Sequence, residues 1–392
     1  MRILVAGGGS GGHVTPVVAV IAELKKQSPR ARIRFWTDFK FYQPTREKIL
    51  AHNRNIKINR ILSGKFRRYS GFTLGTYLKN PLIILLNIRD SLLLLLGFFQ
   101  CFFKLILWRP DVVFLKGGYV CLPIGLAAHI LRIPFVIHDS DTVPGLTNRI
   151  LSRFAHHIAT GMPLDNYNYP TDKATYVGIP TSDRFVPISK QDQRELKTKL
   201  GFDPDTPLAL ITGGGLGARS INLAVVSCID QLLRITNLQL ISGKDNFDEV
   251  NSLLEKHRDS INSDNFRHYS FVSNNYEDVF LASDIIVARA GATNITELAS
   301  AAKTAIIVPN AKLPGSHQTK NAEFLLRSHA AIVIDNDQLG ADPSILADTI
   351  QNLLQNHELS RELAHSIHQL AMPDAASAVA SIILKSARQV NE

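Results

Sequence analysis

A histidine closes a run of glycines near the start of the chain. In "LVAGGGSGGHVTPV", residues 4–17, Gly7, Gly9 and Gly12 fit the pattern G-x-G-x-x-G after a short apolar run, and His13 follows at once. Glycines in such a loop let the backbone approach a phosphate or sugar closely, and the helix that opens next supplies oriented N–H groups. At a helix start the dipole disfavours imidazolium, so the ring of His13 is expected neutral. A neutral imidazole there can accept a proton from an attacking hydroxyl. The alternative is a histidine that only caps the helix and packs under the loop.

The glycine pattern occurs twice. Gly213, Gly215 and Ala218 fit G-x-G-x-x-A after "LALIT", and a further turn, "KGGYVCLP", follows "DVVFL". One such loop is a weak signal. Two, each opening a helix, suggest paired Rossmann-like halves with a ligand in the cleft between them. In "ARAGATNITELAS", Gly291 and Ala292 leave a helix N-terminus open for a diphosphate. Glu297 lies one turn further on, where its carboxylate can accept both hydroxyls of a ribose; an exposed helical Glu is the plainer reading. In "SHQTKNA", His317 and Gln318 can read sugar hydroxyls or simply start a polar helix. Asp38 ends "RIRFWTD", where an acid can hold the ribose of NAD. A dehydrogenase gains nothing else: His13 would crowd a pyrophosphate, and the second half repeats the first. Asp38 is better read as a strand-end cap.

The elements that must position these residues alternate along the chain. "RILVA", "RIRFWT", "DVVFL" and "PFVIH" read as strands in the first half, and "LALIT", "LQLIS", "DIIVA" and "TAIIVP" in the second, with helical patterns between. That alternation is the signature of parallel α/β sheets. A chain of 392 residues, 45% hydrophobic and 20% charged, exceeds one ordinary core and fits two soluble domains. The unperiodic, Pro- and Ser-rich "YVGIPTSDRFVPISKQD" sets a boundary near Pro180. The expected organisation is a domain over 1–180, a second over 181–372, and a terminal helix over 373–392, capped by Asp374 and able to pack back on the first. Three cysteines, Cys101, Cys121 and Cys228, form no metal-like spacing and no disulfide framework, which suits a reducing cytoplasm. "RILVA" runs straight into glycines without a cleavage site and reads as a buried first strand, not a signal peptide.

The net charge of +9 is unevenly spread. Between Arg54 and Lys104 nine basic residues stand against Asp90 alone, so this window carries almost the whole excess. It also holds "PLIILLNIRDSLLLLLGFFQCFFKLILW". Basic and apolar residues together point to an anionic membrane surface and away from nucleic acid, which would want aromatics interleaved with the charges. The longest charge-free run, Ser91 to Phe103, is 13 residues, short of the roughly 20 that cross a bilayer. A buried helix pair and an interfacial element are the two readings open.

Taken in order, "GGSGGH", "KGGYV", "HDSDTVPGLTNRILSRFA", "GGGLGARSIN", "RAGATNITELA" and "HQTKNA" resemble the MurG family of peptidoglycan N-acetylglucosaminyltransferases over nearly the whole chain. The resemblance implies a GT-B fold of two Rossmann-like domains with parallel sheets facing a central cleft. It implies an inverting transfer of N-acetylglucosamine from UDP-N-acetylglucosamine, held mainly by the second domain. The acceptor would be lipid I, undecaprenyl-diphospho-N-acetylmuramoyl-pentapeptide, which approaches the first domain from the cytoplasmic face of the membrane. No cofactor and no metal are implied for the transfer. The family's donor contacts fall on Ser10, Gly11, Gly12, Asp141, Ser182, Gly215, Val272, Ala292, Thr293, Asn294, Ile295, Thr296, Glu297 and Gln318, with His13 as general base. Three positions depart from the family's usual pattern: Asp141 stands for Asn, Ser182 for an Arg, and Gly215 for a Ser. Arg184 is the nearest replacement for the missing Arg. Transfer to another lipid such as diacylglycerol, and a UDP-N-acetylglucosamine 2-epimerase, are the alternatives; the basic, apolar window speaks against the epimerase.

Overall fold

The computed structural model of the chain describes residues 1–8, 14–40, 42–53, 55–65, 81–214, 217–262, 264–272, 275–311 and 317–388. Contacts divide it into two units: residues up to Ser182 together with those from Met372 onward, and Asp183–Ala371.

The first unit is built on β1 (Arg2–Ala6), β2 (Arg32–Thr37), β3 (Lys57–Arg60), β4 (Val112–Leu115), β5 (Phe135–Asp139), β6 (His157–Thr160) and β7 (Ala174–Tyr176). They lie in the order β3-β2-β1-β4-β5-β6-β7, every pair parallel. Its helices are α1 (Val14–Gln27), α2 (Tyr42–His52), α3 (Pro81–Trp108), α4 (Cys121–Ile130) and α5 (Leu146–Leu151). The second unit has β8 (Leu208–Thr212), β9 (Asn237–Ile241), β10 (Phe266–Tyr269), β11 (Ile285–Ala288), β12 (Thr304–Ile307) and β13 (Ile332–Val333). Their order is β10-β9-β8-β11-β12-β13, again all parallel. The helices that follow are α6 (Lys190–Lys199), α7 (Arg219–Ser227), α8 (Ile229–Leu232), α9 (Phe247–Leu254), α10 (Tyr276–Ala282), α11 (Ala292–Ser300), α12 (His317–Arg327), α13 (Asn336–Ala341), α14 (Ser344–Gln355), α15 (His357–His368) and α16 (Ala375–Arg388).

All eight runs expected as strands are strands. Five more exist: "KINR", "HIAT", "ATY", "FRHY" and "IV". Four of these are sheet edges, where short length and charged or polar residues blunt an open row of hydrogen-bonding groups, so they lack an apolar signature.

Because side chains alternate along a strand, each sheet supplies two cores. Ile3 and Val5 pack with Val17, Val20 and Leu24 of α1 and with Val379, Ile383 and Leu384 of α16. Leu4 and Ala6, pointing the other way, pack with Cys101 and Leu105 of α3 and with Ile124 and Ala128 of α4. The second unit repeats the pattern with Ala209 and Ile211 on one face and Leu208 and Leu210 on the other. The terminal helix α16 is thus structurally part of the first unit. The chain returns there as Met372 packs on Gly178, whose φ of +82° no branched residue adopts without strain. Gln27 of α1 then donates to the Ser377 carbonyl at 3.1 Å and accepts from Ser381 Oγ at 3.0 Å.

The buried-helix-pair reading of the Leu/Phe block does not hold. The block is one continuous helix, α3, of 28 residues, with little of its surface covered. Its inner face (Leu94, Phe98, Cys101, Phe102, Leu105) meets the sheet core. Its outer face leaves Leu92 57%, Phe103 60% and Leu107 85% exposed. The segment after β3 lies along this helix so closely that a Cβ on Gly97 would come within 2.0 Å of the Leu62 carbonyl oxygen, and one on Gly64 within 1.8 Å of that of Asp90. Gln100 Oε1 accepts from the Leu62 N–H at 2.8 Å.

The tightest approach of two connections in the first unit is at Gly118, with φ +83°, where a Cβ would sit 2.2 Å from the Gly8 carbonyl oxygen. Gly118→Ala must therefore shift backbone and also carry the left-handed penalty, a combined cost of at least about 1–2 kcal/mol. Both tryptophans, Trp36 and Trp108, lie in this unit, so urea unfolding followed by their fluorescence reads it directly. An unchanged midpoint would show that the two connections do not bear on one another.

Candidate functional site

In each sheet the strand order reverses once, between β1 and β4 and between β8 and β11. Connections leaving neighbouring strands there go to opposite faces, and open α/β sheets bind ligands at that point, beyond the carboxyl ends of the strands. Of the described residues singled out from the sequence, 292–297 follow β11 at such a point, while Asp141 follows β5, Val272 follows β10 and Gln318 comes after β12.

In the first unit the sequence-predicted base His13, with Ser10, Gly11 and Gly12, lies outside the described residues, as do Arg67 and Arg68 of the basic window. What is described is the frame around them. Gly8 follows β1 directly, and a Cβ there would meet Asp38 Oδ2 at 2.5 Å and Val120 at 3.2 Å. Asp38 is buried and accepts a hydrogen bond from the Tyr119 hydroxyl. It is a structural partner of the glycine turn, which closes the dehydrogenase reading. Lys116 follows β4 and donates its backbone N–H to the Ala6 carbonyl at 2.9 Å. Its Nζ donates to Ser140 Oγ, in the segment after β5. Asp139 and Asp141 flank that serine. Asp139 is buried; Tyr169 donates to its Oδ2 at 2.8 Å, and the Asn148 amide donates to the neighbouring His138 carbonyl at 3.1 Å. Burial pushes the Asp139 carboxyl up to about 6, against the hydrogen bonds and the Lys116 charge that favour the ionised form. Burial pulls Lys116 down to about 8, against the pull of Asp139 and Asp141. The Tyr167 hydroxyl donates to the Asp141 carbonyl at 2.8 Å, and its ring stacks on Tyr169. Asp141 therefore sits with this first-unit cluster. Ser182, half-buried, ends the first unit.

In the second unit Gly215 lies outside the described residues, but its neighbours are clear. The N-terminus of α11 starts at Gly291, in extended conformation, and a glycine there has no side chain with which to cap the helix. Its first N–H groups are thus presented with Ala292 buried and Thr293 and Asn294 half-buried beside them. Thr296 Oγ1 turns back to the Ala292 carbonyl at 3.1 Å, and Ile295 is core. Glu297, expected at the surface on the plainer reading, is only 4% exposed, and the Tyr276 hydroxyl approaches its Oε2 at 3.4 Å. Gln318 opens α12 and accepts from the Asn310 N–H at 2.9 Å, which fixes its amide beside the β12 loop. From the same helix Asn321 donates to the Ala290 carbonyl at 3.0 Å. Val272, after β10, is half-buried and packs on the core.

Two residues here escaped the sequence reading. Arg289, directly after β11, is buried and donates to the Val308 carbonyl at 3.0 Å, to Asn336 Oδ1 at 2.8 Å and to Ser220 Oγ at 2.8 Å. It ties the outgoing ends of β11 and β12 to the start of α7, and burial pulls its guanidinium down to about 10. Its signal was an arginine abutting an apolar strand. The other is Lys116, masked in the sequence by its glycine neighbours. Arg184, weighed as the replacement for the Arg absent at Ser182, is instead engaged by Asp278 and, at 3.7 Å, by Glu277.

Residues 3–160 match the glycosyltransferase family 28 N-terminal domain, and residues 208–379 its C-terminal domain. The chain is 31% identical over 378 residues, 96% of its length and 97% of the relative's, to the UDP-N-acetylglucosamine–N-acetylmuramyl-(pentapeptide) pyrophosphoryl-undecaprenol N-acetylglucosamine transferase of Bacillus cytotoxicus. The enzyme of the same name from Bacillus licheniformis is 31% identical over 98% of both chains. Among solved structures, MurG of Acinetobacter baumannii superposes with a TM-score of 0.69 at 27% identity, covering 98% of this chain and 99% of that one. A UDP-GlcNAc 2-epimerase from Neisseria meningitidis superposes with a TM-score of 0.65, covering 98% of this chain and 100% of that one, but at 13% identity it shares the fold alone. The fold is GT-B, and the chain belongs to the MurG family of N-acetylglucosaminyltransferases.

Proposed function

We propose that the chain transfers N-acetylglucosamine from UDP-N-acetylglucosamine to lipid I, inverting the anomeric centre and giving lipid II for peptidoglycan synthesis. The observation that carries this is the glycine-started N-terminus of α11 with Glu297 buried one turn in, in a chain related along its length to transferases named for that reaction. The diphosphate lies on the N–H groups of α11 and the loop around Gly215, the ribose hydroxyls on Glu297, the sugar on Gln318, and the uracil on backbone at Val272. The remaining donor contacts are Ser10, Gly11, Gly12, Asp141, Ser182 and the residues from Thr293 to Thr296. His13 takes the proton of the acceptor hydroxyl as its oxygen bonds to the anomeric carbon; the bond from that carbon to the β-phosphate oxygen breaks, and UDP leaves. Helix dipoles and loop amides meet the diphosphate charge without a metal.

The enzyme works as a peripheral protein on the cytoplasmic face of an anionic membrane. Helix α3 is long and apolar enough, by length and composition alone, to cross a bilayer. One face is nevertheless packed on the first unit, and a helix bound along its side to a folded domain cannot be sheathed in lipid. The exposed Leu and Phe face suits the acyl boundary instead. Nearby cations are held by aromatic rings: Arg34 over Trp108 at 4.2 Å and Arg60 over Tyr42 at 4.1 Å.

The deciding assay offers labelled UDP-N-acetylglucosamine, in excess EDTA, separately to lipid I, diacylglycerol and water. Label should reach lipid I alone; label on diacylglycerol, or a demand for Mg²⁺, overturns the substrate or the metal-free step. With lipid I saturating, His13→Ala should lower turnover by about 10²-fold or more, the scale of losing a general base, and leave donor affinity nearly intact.

The donor assignment is checked separately. Glu297→Ala should weaken UDP and UDP-N-acetylglucosamine alike, whereas Gln318→Ala should weaken only the sugar nucleotide. Equal losses for UDP in both variants would sink it.

For the membrane face, Leu92→Gln, Leu96→Gln, Phe99→Gln and Phe103→Gln combined should abolish sedimentation with anionic vesicles. Neutralising Lys65, Arg67 and Arg68 should weaken it chiefly at low salt, since only the coulombic part is screened. Turnover on a short-chain soluble acceptor should be kept in both. Unimpaired sedimentation of the glutamine variant would move the docking face elsewhere.

A further inference from the structure

Lys116 is the one charged side chain among the largest that are wholly enclosed, 1% exposed, and the transfer as described gives it no task. A buried ammonium persists only where anions and hydrogen bonds offset its lost hydration. Here Nζ donates to Ser140 Oγ, and the groups facing it are the carboxylates of Asp139 and Asp141 and the Cys121 thiol. The groups facing Asp139 are Lys116, Asp141, Asn148, Tyr167 and Tyr169. A buried ion pair is weak evidence for stability, because apolar side chains of similar volume fill such a space as well or better. What it does supply is a fixed position. Lys116 is anchored at the end of β4, where its N–H meets Ala6 and its successors Gly117 and Gly118 turn against Gly8. From there its side chain reaches across to the connection after β5. Ser140 and Asp141 in that connection are half-exposed, so they are held from behind and open in front.

We propose that Lys116 is a positioning residue for the glycosyl acceptor: bonded to Ser140 and set against Asp139 and Asp141, its ammonium fixes Ser140 and Asp141 as hydrogen-bond acceptors for the hydroxyl and amide groups of the incoming sugar, with the buried Asp139 behind them. This rests on the reading that the first unit receives the acceptor. It makes acceptor recognition depend on a cation the acceptor never touches. It also requires the buried Asp139 to be ionised, so its protonation on the acid side must weaken the acceptor more than the donor.

The test compares Lys116→Met, Lys116→Arg, Ser140→Ala and the double variant Lys116→Met/Asp139→Asn. Wild type is assayed first on the acceptor panel, and whichever acceptor it uses serves for all variants, so an error in the choice of lipid I shows in wild type alone. Lys116→Met should raise the acceptor KM about tenfold or more at neutral pH, the order expected from losing a charge-assisted anchor. It should also move the acid limb of kcat/KM to higher pH, because Asp139 loses the cation that favours its ionised form. UDP-N-acetylglucosamine affinity by calorimetry should fall by less than the acceptor KM rises, because most of the proposed donor contacts belong to the second unit and are left unchanged. Lys116→Arg should keep the acid limb in place, and Ser140→Ala should raise the acceptor KM without moving it. Where Lys116→Met folds poorly, the double variant restores thermal stability by removing the stranded carboxylate, and its acceptor KM remains raised. Wild-type acceptor KM and acid limb in Lys116→Met, or an acceptor KM that returns to normal in the double variant along with stability, would reduce Lys116 to a packing element.

Discussion

Strands that run parallel cannot be joined by a tight turn; each must be followed by a crossover long enough to carry the chain back. Every strand pair among the described residues of this protein is parallel. All connections that leave carboxyl ends therefore open along one edge of each sheet, with helix N-termini beside them, and only where strand order reverses do two such connections diverge to opposite faces. Gly8, Lys116 and Asp139 lie along that edge in the first unit, and Arg289, Gly291 and Asn310 along it in the second. Two connections come so close that a side chain is excluded where Gly118 meets Gly8, and the single loop after β8 folds on itself so tightly that a Cβ on Gly213 would meet the Ala218 nitrogen at 2.2 Å. The glycines are thus needed by the backbone before any ligand is considered.

That order of causes explains what the sequence discloses. The central strands are legible because burial on both faces demands uninterrupted Val, Ile and Leu, and the glycine turns because no other residue fits them. Both signals are local. Edge strands such as "KINR" and "FRHY" carry the charges that an open edge needs and so look like loops. The side chains that hold the site together are less legible still. Lys116 and Arg289 matter because they are buried, and burial is a property of the tertiary structure; in the sequence each is one more cation in a basic chain. Arg184 shows the converse. Its spacing from Ser182 made it a fair substitute for a missing arginine, but Asp278 claims it across more than ninety intervening residues.

Helix α3 resists sequence reading for a different reason. A helix apolar all round ordinarily means a core helix or a bilayer span. The periodicity separates neither, since both faces are Leu and Phe. Only contact tells them apart: positions 94, 98, 101, 102 and 105 are taken up by the sheet, and positions 92, 96, 99, 103 and 107 are left over. An apolar face of this size left in water is an aggregation hazard unless another phase covers it. At 28 residues the helix is about 42 Å long. In the peripheral role proposed above, it lies flat with its outer side chains toward the membrane surface while the sheet it packs on stays outside.

The two units also differ in how they handle buried charge, and the difference follows the two substrates. In the second, Arg289 is surrounded by carbonyl, amide and hydroxyl oxygens, so its burial is offset by neutral dipoles and its charge is not cancelled. With the α11 dipole beside it, that leaves a net positive field at the carboxyl ends of β8 and β11, which favours a diphosphate. In the first, Lys116 faces two carboxylates, so its charge is more than matched and the local field leans negative. Such a cluster suits hydrogen-bond donors, as the hydroxyl and amide groups of a sugar are. Two copies of one fold are thereby made unequal by a single substitution in kind: a cation answered by dipoles in one unit and by carboxylates in the other.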